Sequence, residues 1–310
     1  MSIDIVESLD SILSNILRAL SERDSELQKL AREIVDSGKT LFLTGSRSYE
    51  LHRVAGIDGS RARVLTIGSA SIYLCKAVAV RLDGYRSDRL KIVAIDAALD
   101  EDAEGCAEDV MIALETELYG ECSECEAVII DGPIIDPPRP PRRCSSQALD
   151  DLHDRRALAI RRVVERGSMV VGVVKRLKGS VLGVPAHLAY HRLCRLVLSI
   201  ASSRCRAVAL PYLGQVAPED VVEIYRRHGV EMASYVVMDT RLGSVYRADI
   251  VPSSSAERAL ELLSALPVSN DGLPLPVSLA HEASKIPREV LETLRARAKR
   301  FLLAYTPYPQ

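Results

Sequence analysis

Two Asp-Gly pairs follow apolar runs in this chain, in Gly-Ile-Asp-Gly-Ser-Arg at 56–61 and in Val-Ile-Ile-Asp-Gly-Pro-Ile at 128–134. Asp-Gly is a common turn former, so either pair alone reads as a turn at a strand end. Both together, with the acidic residues Glu115 and Glu117 between them, suggest carboxylates gathered in one place. Such groups repel one another unless a cation sits among them. Hard divalent ions such as Mn²⁺ and Mg²⁺ take carboxylate oxygens. Two such ions about 3.5–4 Å apart hydrolyse phosphodiesters. A glycine after each Asp lets backbone and substrate approach closely. The chemistry expected of Asp58, Asp131 and a helix Glu is therefore metal-assisted phosphodiester cleavage.

The elements that must position these residues follow from hydrophobic spacing. Apolar residues every three to four positions predict one long helix over 3–36, stopped by Gly38. Residues 1–38 are thus expected to be a packing or dimerisation element ahead of a single domain, 39–310. Strand-like runs at 41–44, 53–58, 63–69, 73–82 and 90–99 predict an antiparallel meander, with Asp58 closing its first strong strand. A helix is expected over 101–120, then a fully apolar strand over 127–131 ending in Asp131, then a stiff Pro-rich loop at 136–143. Beyond it, helices near 148–166, 186–203, 218–228, 254–266 and 287–304 mix with strands and a hairpin within 233–251. The order of strand with Asp, two strands, helix with Glu and strand with Asp is that of the ribonuclease H-like core. The expected fold class is α/β, a mixed sheet flanked by helices, with the first and fourth core strands adjacent.

Composition narrows the partners. The 310 residues hold 40 basic and 42 acidic side chains, so overall charge predicts no polyanion and any nucleic-acid contact rests on local patches. With no Trp and 2 Phe, a base-stacking platform is disfavoured. No apolar run reaches membrane-spanning length, and no basic segment precedes an apolar one at the N-terminus, so a cytoplasmic location away from membranes is expected. The 7 cysteines, an odd number, are expected to be free thiols. Cys122 and Cys125 form one C-x-x-C without a second pair. His187, His191 and Cys194 share a helix face at zinc-like spacing, but no fourth ligand is evident and a polar face explains them equally. Ser-Gly-Lys-Thr at 37–40 ends like a phosphate-binding loop. Glu33 stands where that motif needs Gly, and the order is helix, loop, strand rather than the reverse.

Four segments, taken together, resemble the NurA family of archaeal and bacterial nucleases, which work with the hexameric DNA translocase HerA in end resection. They are Gly-Ile-Asp-Gly-Ser-Arg at 56–61, Val-Ile-Ile-Asp-Gly-Pro-Ile at 128–134, Val-Val-Gly-Val-Val-Lys-Arg at 170–176 and Pro-Leu-Pro-Val-Ser-Leu-Ala-His-Glu-Ala-Ser-Lys-Ile at 274–286. The resemblance implies a ring-like homodimer docked on a HerA-type ATPase. It implies a Mn²⁺- or Mg²⁺-dependent DNA nuclease, acting as a 5′–3′ exonuclease and as an endonuclease on single strands. It also implies that Asp58, Asp131 and His281 ligate metal, two ions per site. Glu115 is the match for the helix ligand, with Glu117 as its rival. For His281 the plainer reading is a satisfied histidine at a helix start. Pro133 departs from the small residue usual there.

Lys175 closes an apolar strand, where a buried strand rarely ends in Lys without a charge partner; the scissile phosphate and a solvated strand end are the two readings. Arg61 and Arg63 after Asp58, and Arg139, Arg142 and Arg143 after Asp131, are candidate phosphate contacts, against the plain reading of charged surface loops. The Arg-rich helix at 155–162 is expected to present a solvated face, and Tyr246 and Arg247 are weaker DNA candidates. Two other functions remain open: another ribonuclease H-like nuclease acting on hybrids or junctions, and a non-catalytic adaptor of a translocase.

Overall fold

Ala127–Asp131 is apolar at every position before its Asp, the pattern of a strand covered on both faces. In the computed structural model this strand lies inside a nine-stranded sheet with helices on both sides. The structure describes residues 24–305 except 46–47, 101, 123, 140–143, 145–148, 176, 178–179, 182–183, 202–204, 213 and 242.

The described residues open with helix α1 (24–36) and a short strand β1 (Leu41–Leu43). The meander follows as β2 (Val54–Ile67), β3 (Ala70–Arg81) and β4 (Arg86–Asp96). Helix α2 (Ala103–Leu118) leads to β5 (Ala127–Asp131), α3 (Leu152–Glu165) and β6 (Met169–Val174). A small hairpin, β7 (Ser180–Val181) and β8 (Val184–Pro185), precedes α4 (Ala186–Ala201), β9 (Ala207–Pro211) and α5 (Glu219–Arg227). The hairpin β10 (Ala233–Asp239) and β11 (Ser244–Val251) is followed by α6 (Ala256–Ala265), α7 (Leu275–Ser284) and α8 (Arg288–Tyr305).

The large sheet runs β1-β9-β10-β11-β6-β5-β2-β3-β4. Within it, β2 pairs antiparallel with β3 and β3 with β4, while β2, β5 and β6 are mutually parallel neighbours. This is the expected ribonuclease H-like core, with the strand of Asp58 beside that of Asp131. Helices cover both faces, and strand alternation sends side chains to each. Val128 and Ile130 join Ile57, Val110 and Ile160 on the face of α2 and α3. Ala127 and Ile129 join Val171, Leu260 and Val277 on the face of α6 and α7. Leu27 and Ala31 of α1 pack with Leu193, Val197, Val208 and Leu210. The described part of the expected N-terminal helix therefore packs on its own chain; residues 3–23 of that expectation lie outside the described residues.

Several expectations change. Residues 41–43 do not join the meander; β1 lies at the far edge of the sheet against β9. The run between β1 and β2 is long enough to carry it there. The two runs expected at 53–58 and 63–69 are one strand, β2, with an irregularity between Arg63 and Leu65. Asp58 is consequently mid-strand, and Gly59 makes no turn: it pairs with Ala77 and is not among the positive-φ glycines. Gly132 does need glycine, since its φ is +145°. The all-thiol expectation fails as well. Cys106 of α2 and Cys144 form a disulfide with Cα atoms 5.8 Å apart, and their 38-residue separation carries no sequence signal. Tyr246 and Arg247 are buried, Arg247 in an ion pair of 2.9 Å with Asp249, so neither presents a surface to DNA.

Gly56 shows why glycine brackets Asp58. A Cβ there would lie 2.0 Å from the Pro276 carbonyl oxygen of α7. Gly56→Ala should push α7 off the sheet and cost about 1–3 kcal/mol, the range for forced overpacking. Denaturant unfolding checks this; an unchanged midpoint would show that α7 does not rest on β2.

Candidate active site

Asp58 faces α7, because residues 56, 58 and 60 share one side of β2. That helix brings His281 and Ser284 to it. His281 Nδ1 lies 3.0 Å from Asp58 Oδ2 and 3.5 Å from Asp131 Oδ2. The Ser284 hydroxyl donates to Asp58 Oδ2 at 2.8 Å. The helix end is fixed in turn by the sheet. Lys76 Nζ donates to the Ala283 carbonyl at 2.5 Å, and the Ser60 hydroxyl donates to the Ser284 carbonyl. Both satisfy carbonyls that a helix C-terminus leaves unpaired. His281 thus lies in the last turn of α7, not at a helix start. Sequence reading passed over Ser60, Lys76 and Ser284; Ser284, three residues beyond His281 on the same helix, was the one with a positional signal.

Asp131 is carried to the same place by the parallel pairing of β2 and β5. Its turn is held by Gly132 N–H donating to Val173 O at 3.0 Å. Gly172 on β6 makes room for it, since a Cβ there would meet Gly132 O at 2.7 Å. Lys175, one residue past β6, donates to Asp131 Oδ2 at 2.7 Å. It is therefore not a simple solvated strand end.

Glu115 arrives from the opposite face. It sits one turn beyond Met111 on α2, and both reach Gly59: an added Cβ there would lie 2.6 Å from Glu115 Oε1 and 2.7 Å from Met111 Cγ. Missing side-chain bulk at Gly59, rather than a turn, is what brings this carboxylate against β2. The rival Glu117 is half exposed and faces Arg89 at 3.7 Å. Glu115 is buried, and Arg156 lies 3.6 Å from its Oε2.

The structure thus brings Asp58, Asp131 and His281 together, with one ligand atom of each within 4.8 Å of the others. Glu115 stands behind them across the β2 backbone and is not in that triplet. Side-chain exposure rises from 9% at Asp58 to 11% at Asp131, 34% at Lys175 and 44% at His281, so the cluster opens towards the last two. Burial raises the Asp58 carboxyl, and the neighbouring Asp131 charge raises it further against the opposing Ser284 bond and His281. Burial also raises Glu115 well above its ordinary value, with Arg156 opposing. Two carboxylate oxygens and an imidazole suit a divalent ion of the Mn²⁺ type. The surplus of negative charge in a desolvated place is what such an ion would relieve.

The remaining candidates do not converge on it. Arg61 points to the α2 face and lies 3.8 Å from Glu108; Arg63, exposed, is further along β2. Arg139 is committed to Asp109, at 2.7 Å, rather than standing on an open loop. Arg142 and Arg143 lie outside the described residues. Cys194 is buried in the core, which raises its thiol to about 12; the His187 side chain is not among those described. Neither this trio nor Cys122 and Cys125 forms a metal-type group among the described residues. The solvated-face expectation for 155–162 fails at Arg156, which is fully buried.

Comparison with known proteins agrees with this architecture. Residues 52–286 match the NurA domain family, a span that contains Asp58, Glu115, Asp131, Lys175 and His281. The NurA nuclease of Sulfolobus solfataricus has the same fold, with a TM-score of 0.64 and 18% identity over 99% of both chains. A NurA structure bound to dAMP and manganese gives 0.60 and 14% over 97% of both chains. A further NurA structure with manganese gives 0.59 and 14%, over 94% of this chain and 96% of that one. No functionally curated protein sequence matches the chain.

Asp136, just past the Asp131 turn, yields a pH prediction. Burial pushes its carboxyl up to about 6, Arg156 opposing and Glu108 and Asp109 adding to the rise. A carboxyl raised in the folded state holds a proton that the unfolded chain has already lost. Its stabilisation is full below the ordinary carboxylate value and disappears as pH rises through the folded value. In chelator, stability should fall between about pH 4 and 6, and Asp136→Asn should lack that part of the slope. Equal slopes in thermal melts of the two proteins would refute this.

Proposed function

The chain belongs to the NurA family, and on that premise we propose that it is a Mn²⁺-dependent DNA nuclease, also served by Mg²⁺. Its metal centre is built on Asp58, Asp131 and His281, with Glu115 completing it for a second ion. The observation that carries this reading is the convergence of those three ligand atoms from β2, β5 and α7 within 4.8 Å. The manganese and dAMP held by a NurA relative support the same metal and a nucleotide product.

Bound divalent ions would supply the Lewis acidity of the reaction, drawing charge from the scissile phosphate and easing the ionisation of water. The side chains do the rest. Asp58 and Asp131 offer hard oxygen ligands on adjacent strands, so their spacing is set by the sheet rather than by loops. Ser284 holds Asp58 in one orientation by donating to Oδ2. His281, as a neutral imidazole, contributes nitrogen on the exposed side of the cluster. Lys175 pairs with Asp131 and remains about one-third exposed. Its ammonium can exchange part of that pairing for an arriving phosphate, orienting it over the ligands.

The finer activity we assign is 5′–3′ exonuclease action on single- and double-stranded DNA with endonuclease action on single strands, in end resection for double-strand-break repair. Translocation falls to a separate HerA-type hexameric ATPase, since the loop at 37–40 fails as a phosphate binder. The active form is a homodimer in which residues 1–38 serve packing or dimerisation. Arg61, Arg63, Arg142 and Arg143 are secondary DNA contacts in this reading. Among the described residues no helix is long and apolar enough to cross a membrane.

End-labelled single- and double-stranded DNA, incubated with the protein and Mn²⁺ beside Asp58→Ala, tests the core of the reading. The variant should lose more than the roughly 10–100-fold typical of removing a partner of a metal ligand. Wild type and variant equally active, or equally inert, would refute it. Preference for the RNA strand of a hybrid would move the assignment to a ribonuclease H activity.

A further inference from the structure

Arg156 is a fully buried side chain on a helix whose neighbours Arg155 and Arg161 are about half exposed. Its guanidinium stays charged, so burial must be compensated by partners on several sides. Its hydrogen-bond and ion-pair partners come from the region of α2 and from the turn after Asp131, with Asp136 and Tyr225 of α5 also in its electrostatic surroundings. On α2, Nη1 lies 3.6 Å from Glu115 Oε2 and donates to Thr116 Oγ1 at 3.5 Å, and the ring of Tyr119, directly after α2, has its centroid 5.5 Å from the guanidinium carbon. On the turn after Asp131, Nε donates to Ile134 O at 3.1 Å and Nη2 to Pro133 O at 3.4 Å. One rigid fork therefore ties the helix carrying Glu115 to the turn carrying Asp131.

The surroundings give this tie a specific task. Gly59 presents no side chain to Glu115, so β2 sets no lateral stop for its carboxylate. Gly132, at φ +145°, and Gly172, which admits the turn, put backbone against backbone directly after Asp131, and Ile134 and Ile135 bury their side chains in the core just beyond it. We infer that Arg156 is a positioning residue that holds Glu115 and the Asp131 turn in mutual register, so that divalent-metal affinity depends on a side chain touching neither metal nor DNA. The inference rests on the metal-centre reading above. A lysine cannot replace Arg156, because a single ammonium does not fork between two elements.

The test is Mn²⁺ binding by the full chain, read from the electron paramagnetic resonance signal of free Mn²⁺, with thermal melts alongside. Arg156→Met and Arg156→Lys should each weaken binding roughly 10–100-fold, the range for supports of metal ligands. Glu115→Gln/Arg156→Met should lose less than the product of the two single losses, because the two side chains act in part as one unit. Multiplying losses, or a lowered melting point with wild-type affinity, would overturn the inference. Should Arg156→Met fail to fold, wild-type affinity in Arg156→Lys overturns it equally. Glu115→Gln with wild-type affinity beside an Asp58→Ala that binds no metal would overturn it while leaving the metal centre standing. Asp58→Ala binding like wild type would instead defeat the metal centre itself.

Discussion

Like charges held out of water are the constraint around which this molecule is arranged. Asp58 and Asp131 lie on adjacent parallel strands with ligand atoms within 4.8 Å of His281, and burial alone already raises Asp58. Such a cluster is costly unless each carboxylate is held in place and offered positive charge. The fold does both. Lys175 brings charge from the open side and Arg156 from behind Glu115, while Ser284 donates to Asp58 and His281 Nδ1 lies 3.0 Å from it.

Holding these groups demands close approach between layers, and glycine supplies it. Gly56 admits the backbone of α7, Gly59 admits the side chains of α2, and Gly172 admits the turn after Asp131. The three glycines serve the same end from three directions: each removes a Cβ where a ligand-bearing element must touch the sheet. The end of α7 is then secured by Ser60 and Lys76 acting on its terminal carbonyls, so the His281 ring is oriented by β2, which carries Asp58, and by its neighbour β3.

A second tier of charge compensation surrounds the loop after Asp131. Arg139 pairs with the fully buried Asp109, and His153 Nε2 lies 2.7 Å from the Arg139 carbonyl oxygen. Cys106 and Cys144 add a covalent link between α2 and the same region. Residues that looked like a basic DNA-facing loop therefore include structural members, and the described basic side chains here divide between compensating buried acids, as Arg139 does, and pairing at the surface, as Arg155 does with Asp151. Composition cannot show that division, since its 40 basic and 42 acidic residues balance whatever their pairing.

Local pattern was enough for much of the protein. The two apolar runs ending in Asp, the meander and the acidic helix predicted the ribonuclease H-like core and named Asp58 and Asp131, because strand order and residue type are properties of contiguous sequence; His281 was named only by the resemblance of the Ala-His segment to the NurA family. Helix period left Glu115 and Glu117 both open; tertiary packing separated them, since the choice depends on which side of α2 faces Gly59. The sequence also showed Asp58 at an apparent strand end, whereas β3 pairs continuously through Asp58 and Gly59, and only a partner strand can reveal that. Arg156 had no signal at all among its basic neighbours. Its burial is decided by Glu115, Thr116 and the carbonyls of Pro133 and Ile134, more than 20 residues away along the chain, and contacts at that separation are settled by how elements pack.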